Sequence, residues 1–235
     1  MIFTHRSLSE KLLASTGVPS LDSLLGTDGY PDRSAILILG PPGIGKEALG
    51  YWFARSGLIQ NDFVLYVTRL PVQDVLQEVR AFGVDFSRRV PFWFSSSGGQ
   101  IEFDINDLAG LSFNIKDILK RNSGRRIRMV TDVIPSLLML NPADVIYKYL
   151  AQLIAHVKQY DSVTLAMLEE GMHPPNVVAA MQQLFDGVIE LHLYEDGFRV
   201  TPHLKIRKMR GIAPQMGSYN FSFSKTGMEI KAYAK

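Results

Sequence analysis

Ala35-Ile36-Leu37-Ile38-Leu39-Gly40-Pro41-Pro42-Gly43-Ile44-Gly45-Lys46-Glu47 joins an uninterrupted apolar run to a glycine-rich turn and a lysine. Ala35 to Leu39 fits a strand buried on both faces. From Gly40 the stretch follows G-x-x-x-x-G-K-[ST], the phosphate-loop pattern, at every position but the last. In that pattern backbone N–H groups of the loop, and of the helix that follows it (Lys46 to Ser56 in this reading), point at phosphate oxygens. Gly43 and Gly45 let the backbone curl without Cβ clashes, and Lys46 reaches the β- and γ-phosphates. The plain alternative is a Gly-rich strand-to-helix turn with no ligand.

Glu47 stands where the pattern places a Ser or Thr hydroxyl on Mg²⁺. A carboxylate in a first helical turn gains about 0.3–1 kcal/mol from the helix dipole. The same carboxylate at ~4 Å from a phosphate charge is repelled by roughly 4 kcal/mol at an effective dielectric near 20. Repulsion therefore wins unless something intervenes. Three arrangements follow: Mg²⁺ bridges carboxylate and phosphate, Glu47 swings to solvent, or the site is weak.

Outward from the loop, the apolar runs Phe63 to Thr68, Ile127 to Thr131, Val163 to Leu168 and Val188 to Leu193 complete a set of five strands. Between them, Val72, Val75, Leu76, Val79 and Phe82 have helical spacing with Gly83 as a stop. Val145, Ile146, Tyr149, Leu150, Leu153, Ile154 and Val157 mark a longer helix, with Asn141-Pro142 read as its N-cap and first turn. Alternating strand and helix predicts an α/β domain with a mostly parallel sheet. After about residue 197, Phe198 to Lys208, Ser218 to Ser224 and Met228 to Ala232 read as short strands that extend the same sheet antiparallel. Ser95 to Gly99 has the most flexible composition.

The 235 residues are 46% hydrophobic and 20% charged, enough for one large α/β domain. The net charge of +2 gives no global field for nucleic acid or a membrane. With no cysteine, disulfides, thiolate catalysis and Cys-based zinc sites are excluded. No apolar run reaches a membrane span, and Met1 to Arg6 lacks a signal-peptide core, so a cytoplasmic protein without membrane partners is expected. His5, His156, His173, His192 and His203 show no metal-ligand spacing. Arg121, Arg125, Arg126 and Arg128 form a basic cluster that reads as a solvated turn, with nucleic-acid backbone as the alternative contact. Trp52, Trp93 and Phe94 read as core or interface residues.

Longer motifs surround the loop. Thr16-Gly17-Val18-Pro19-Ser20-Leu21-Asp22-Ser23-Leu24-Leu25-Gly26 is similar to T-G-I-x-x-L-D-x-L-L-G, Phe82-Gly83-Val84-Asp85 to F-G-W-D, and Lys208-Met209-Arg210-Gly211 to K-x-R-G. With Met216-Gly217 through Phe221 and Gly227, these resemble the KaiC/RadA-like branch of RecA-type P-loop ATPases over nearly the whole chain. The resemblance implies a single RecA-like nucleotide-binding domain over 1–235, with a mostly parallel central sheet flanked by helices and C-terminal antiparallel strands. It implies ATP or ADP bound by Gly40 to Glu47, with Asp132 holding Mg²⁺ directly or through water; Glu47 is a second Mg²⁺ ligand in the bridged arrangement given above. An Asp capping the segment after the strand is the plain reading of Asp132. Lys208 and Arg210 match residues that reach a neighbouring subunit's γ-phosphate in ring-forming relatives, which implies a homo-oligomer, a hexameric ring or smaller. As sequence alone they read as a solvated basic strand.

The departures gather at the chemistry. Relatives carry one or two glutamates after the second strand to orient water, whereas Thr68 is followed by Arg69-Leu70-Pro71. Gly29 to Ser34 departs from G-G-G-x-P-x-G. Glu169 and Glu170, after the strand Val163 to Leu168, are substitutes for the missing base if they reach the site, and otherwise a solvated acidic loop. The expectation is a regulatory or assembly module, a pseudo-ATPase that binds nucleotide with weak or no hydrolysis. The alternatives are an active Mg²⁺-dependent ATPase linked to DNA repair or signalling, and a nucleotide-free scaffold.

Overall fold

A computed structural model describes residues 13–197, 199–224 and 227–232. In chain order the elements are β1 (Leu13–Ala14), α1 (Pro19–Leu25), β2 (Tyr30–Pro31), β3 (Ser34–Gly40), α2 (Lys46–Ile59), β4 (Phe63–Thr68) and α3 (Val72–Ala81). Then come β5 (Phe92–Ser95), β6 (Ile101–Glu102), α4 (Leu108–Arg121), β7 (Ile127–Thr131), α5 (Ile134–Leu140) and α6 (Ala143–Val157). The chain continues through β8 (Ser162–Glu169), α7 (Pro175–Leu184), β9 (Gly187–Asp196), β10 (Arg199–Met209), β11 (Ser218–Ser224) and β12 (Gly227–Ala232).

β3 to β12 form one ten-stranded sheet in the order β12-β11-β10-β9-β3-β8-β7-β4-β5-β6. The run from β9 to β6 is parallel, and β10, β11 and β12 extend it antiparallel. This is the α/β architecture with the C-terminal antiparallel extension that the sequence predicts. β9 pairs with β3 only over Gly187 to Glu190, so the rest of the β9–β10 hairpin projects past the end of β3.

The continuous apolar runs have a simple cause. On β3, Ile36 and Ile38 pack into one core with α1, α2 and α3, while Ala35, Leu37 and Leu39 pack into another with α4 to α7. Both faces of the strand are buried, so neither set of alternating positions can be polar. Trp52, Trp93 and Phe94 are buried in these layers, as expected.

Several expectations change. Asn141 does not cap α6: Pro142 holds the N-cap position, and Asn141 Nδ2 donates to Leu137 O at the end of α5. The basic cluster is not one solvated turn. Arg121 is exposed, but Arg128 on β7 is fully buried beneath α2. Its Nε pairs with Asp62 at 2.7 Å, Nη1 donates to Ser15 O and Phe53 O, and Nη2 donates to Gln60 Oε1. Gly57 on α2 makes room, since a Cβ there would lie 2.4 Å from Arg128 Cδ. Arg126 donates to Leu13 O and pairs with Asp32 at 3.3 Å. Ser95 to Gly99 is tied down: Ser95 Oγ donates to Ser97 O, Val72 N donates to the same carbonyl, and Gly98 N donates to Glu102 Oε1. The expected strand start at Phe198 and the segment Met1 to Arg6 lie outside the described residues. Among the described residues no helix is long and apolar enough to cross a membrane.

Candidate functional site

β3 ends at Gly40, and the chain turns through Gly43 (φ +77°) and Gly45 (φ +88°) into α2. Both glycines hold the left-handed backbone that side-chain-bearing residues avoid. Gly45 is the N-cap of α2 and, being glycine, offers no side chain to cap that end. The first N–H groups of a 14-residue helix are thus not taken up by an N-cap side chain, as anion recognition requires.

Lys46 is only 1% exposed, because it lies between two carboxylates. Its Nζ is 2.9 Å from Glu47 Oε1 and 3.1 Å from Glu169 Oε1. Among the described residues, Glu169 Oε2 is buried without a hydrogen-bond partner. Burial opposes the lysine's charge, but Glu47 and then Glu169 outweigh it and raise its pKa above the ordinary lysine value. Of the arrangements weighed from sequence, Glu47 does not swing out to solvent: it turns back onto its neighbour.

Asp132 follows β7 and faces the same cleft. Thr68 Oγ1 donates to its Oδ2 at 2.7 Å and Arg69 N donates to its Oδ1 at 3.3 Å. It does not cap α5, whose N-cap is Val133 with no side-chain bond. Burial lifts its pKa to about 6, against the pull of Thr68 and the Arg69 N–H. The cleft has a volume of about 740 Å³, and its charged lining is Arg69 against Glu47, Glu78, Asp132 and Glu169. Met139, Leu140 and Met172 give it an exposed apolar rim.

The remaining sequence candidates separate. Glu169 reaches the site, because Gly40 and Glu169 are register partners of β3 and β8. Glu170 does not: its N–H donates to Gly40 O, and its carboxylate lies 3.6 Å from His192. Lys208 donates to Gln182 O, and Arg210 lies 3.8 Å from Asp186. Asp186 binds Ala35 N at the start of β3. Ala35 to Gly40 spans about 17 Å at ~3.3 Å per residue, so Arg210 stands well away from its own loop.

Two features escaped the sequence reading. Glu78 lines the cleft from α3 and accepts a hydrogen bond from Tyr51; its place on the polar side of a helical pattern carried no signal. Phe223 on β11 lies over the loop, with ring atoms 2.4 and 2.5 Å from where a Cβ on Gly45 would be. Only the order of the strands brings β11 there.

The donor set fits a nucleotide phosphate with one divalent cation. A glycine cradle and a helix N-terminus face the cleft, Asp132 and Glu47 are oxygen donors beside it, and Glu169 Oε2 lacks a partner. Among the described residues no group of three His, Cys, Asp or Glu side chains could hold a metal by itself. A cation here would need phosphate oxygens and water to complete its shell, as Mg²⁺ commonly does.

Comparison with known proteins points the same way. A family model described as "ATPase: KaiC" matches residues 14–235. The chain is 28% identical to a UPF0273 protein of Thermotoga maritima, over 92% of this chain and 94% of that one. It is 24% identical to the circadian clock protein KaiC2 of Synechocystis, over 99% of this chain and 41% of that protein. It is 26% identical to the circadian clock oscillator protein KaiC of Synechococcus elongatus, over 86% of this chain and 41% of that one. The chain therefore spans less than half the length of those two clock proteins.

Proposed function

The chain belongs to the KaiC ATPase family, and from that membership we propose that it is a single nucleotide-binding domain that binds ATP or ADP and hydrolyses it slowly or not at all. The carrying observation is the placement of Lys46 between Glu47 and Glu169, at the mouth of a glycine loop whose N-cap residue, Gly45, has no side chain to occupy the helix N-terminus. The loop amides supply phosphate recognition, and Lys46 supplies a cation that first has to leave its carboxylates. Asp132 and Glu47 would hold Mg²⁺, which neutralises phosphate charge when bound. Thr68 and the Arg69 N–H fix the Asp132 carboxylate toward the cleft. After β4 the lining residues are Arg69 and Leu70, and neither can accept a proton from water.

The test is calorimetry with ADP and ATP beside phosphate release. Expected are measurable binding, its loss in Lys46→Ala, and turnover far below the ~1–10³ s⁻¹ common for enzymes. No binding at millimolar nucleotide would sink the proposal. A second reading, an active Mg²⁺-dependent ATPase, is favoured by one observation: Glu169 places a carboxylate in the cleft beside Lys46. It requires that Glu169→Gln abolish phosphate release while nucleotide still binds. As an assembly module, the protein would use the exposed rim at Met139, Leu140 and Met172 against a neighbour, and present the exposed Arg210 to one.

A further inference from the structure

Glu47 and Glu169 sit on two rigid elements, the first turn of α2 and the last residue of β8. Parallel pairing of β3 with β8 fixes the Glu169 backbone beside Gly40, the first residue of the loop. Both carboxylates converge on one ammonium, at 2.9 and 3.1 Å. That trio carries a net charge of −1, so the positive charge a phosphate seeks from Lys46 is already compensated from within the chain.

A phosphate that takes Lys46 as its counter-ion must draw it away from at least one carboxylate. That carboxylate then faces a phosphate of like charge, in a cleft already lined by Glu78 and Asp132 with Arg69 as the opposing cation. A divalent cation removes the conflict, because it gives the released carboxylate and the phosphate a shared partner. We infer that Glu47 and Glu169 form a counter-ion clamp on Lys46 that makes nucleotide binding conditional on a divalent cation. The cation is then needed to admit the nucleotide, before any chemistry. The inference rests on the nucleotide-binding reading above and adds its regulation.

The experiment is ADP titration by calorimetry in Mg²⁺ and in EDTA, for wild type, Glu169→Gln and Glu47→Gln, each checked for folding by thermal unfolding. Wild type is expected to bind ADP at least tenfold more weakly in EDTA. Glu169→Gln removes half the clamp and leaves Glu47, so its affinity in EDTA should rise severalfold and its ratio between the two conditions should shrink. Glu47→Gln should also gain affinity in EDTA, and should lose affinity in Mg²⁺. Equal wild-type affinity with and without Mg²⁺ overturns the clamp and leaves the nucleotide reading standing. Unchanged EDTA affinity in both folded variants does the same. No ADP binding in any arm overturns both.

Discussion

Gly45→Ala is the sharpest probe of how the loop is built. The residue holds φ +88°, and a Cβ there would sit 2.4 Å from Cε2 and 2.5 Å from Cζ of Phe223. Backbone strain for an L-residue in the left-handed region is about 1–2 kcal/mol. Carbon atoms need roughly 3.5–4 Å, so the ring must move by more than an ångström. That ring packs against Trp52, Phe82 and Phe221 with centroids 5.9, 5.2 and 5.4 Å away. Each such pair contributes about 0.5–1.5 kcal/mol beyond area burial, so disturbing one or two adds ~1–2 kcal/mol. Gly45→Ala should therefore destabilise the fold by about 2–4 kcal/mol. In a Phe223→Ala background only the strain remains, which leaves a coupling of ~1–2 kcal/mol between the two sites. Urea denaturation of wild type, both single variants and the double variant measures it. A coupling below about 0.5 kcal/mol would show that the ring does not rest on the loop.

Arg128→Met strands the Asp62 carboxylate, which is 11% exposed, and should cost about 3–5 kcal/mol. For a chain of this size that lowers Tm by roughly 6–20 °C in a thermal melt. Asp132→Asn should stabilise the protein at pH 7 while removing a proposed Mg²⁺ ligand. Its pKa of about 6 lies above the unfolded value, so the native state holds the proton more tightly. Stability from this group is present below about pH 4 and is lost as pH rises toward 6. The ceiling of ~3 kcal/mol falls toward ~1 because Asp132 is only half-buried, and melts should show the gain at pH 7 and none at pH 4. Lys208→Ala and Arg210→Ala should each leave ADP affinity within about twofold (~0.5 kcal/mol) at concentrations where the protein is monomeric, since both side chains bind elsewhere. A larger loss there, read by calorimetry, would contradict their placement.

The strands around the loop were legible because burial on two faces writes itself as unbroken apolar runs. The helices were legible where one face was polar, as in α3 and α6. In contrast, α5 is Ile134-Pro135-Ser136-Leu137-Leu138-Met139-Leu140, too short and too apolar to show a helical period. α4 does space Leu111, Ile115, Ile118 and Leu119 as a helix should, a pattern the reading passed over. Arg128 had a signal in its setting between Ile127 and Met129, but its charge drew it into a surface cluster. The phosphate loop could be read residue by residue, since its pattern is local. The pairing of Lys46 with Glu169 could not, because it depends on β8 lying beside β3, and sequence spacing does not encode strand order. Nor does helical geometry by itself turn neighbours i and i+1 toward each other, so Glu47 facing Lys46 was not foreseeable.

Arg126 and Arg128 both donate to carbonyls of the first described strand and the turn after it, at Leu13 and Ser15. Their guanidinium groups are nearly sealed from water, so those carbonyls are part of their solvation shell. Leu13 to Ser15 are thus not a detachable lead-in to the domain. A chain cut short before Thr16 would strip one acceptor from each cation, leaving Arg126 to Asp32 and Arg128 to Asp62, Phe53 O and Gln60, and water would have to enter beneath α2 to replace the lost carbonyls. During folding the same dependence runs in reverse: Arg126 and, on β7, Arg128 cannot finish being buried until Leu13 to Ser15 have come to meet them. Two residues at the middle of the sequence thereby set when Leu13 to Ser15 must be in place.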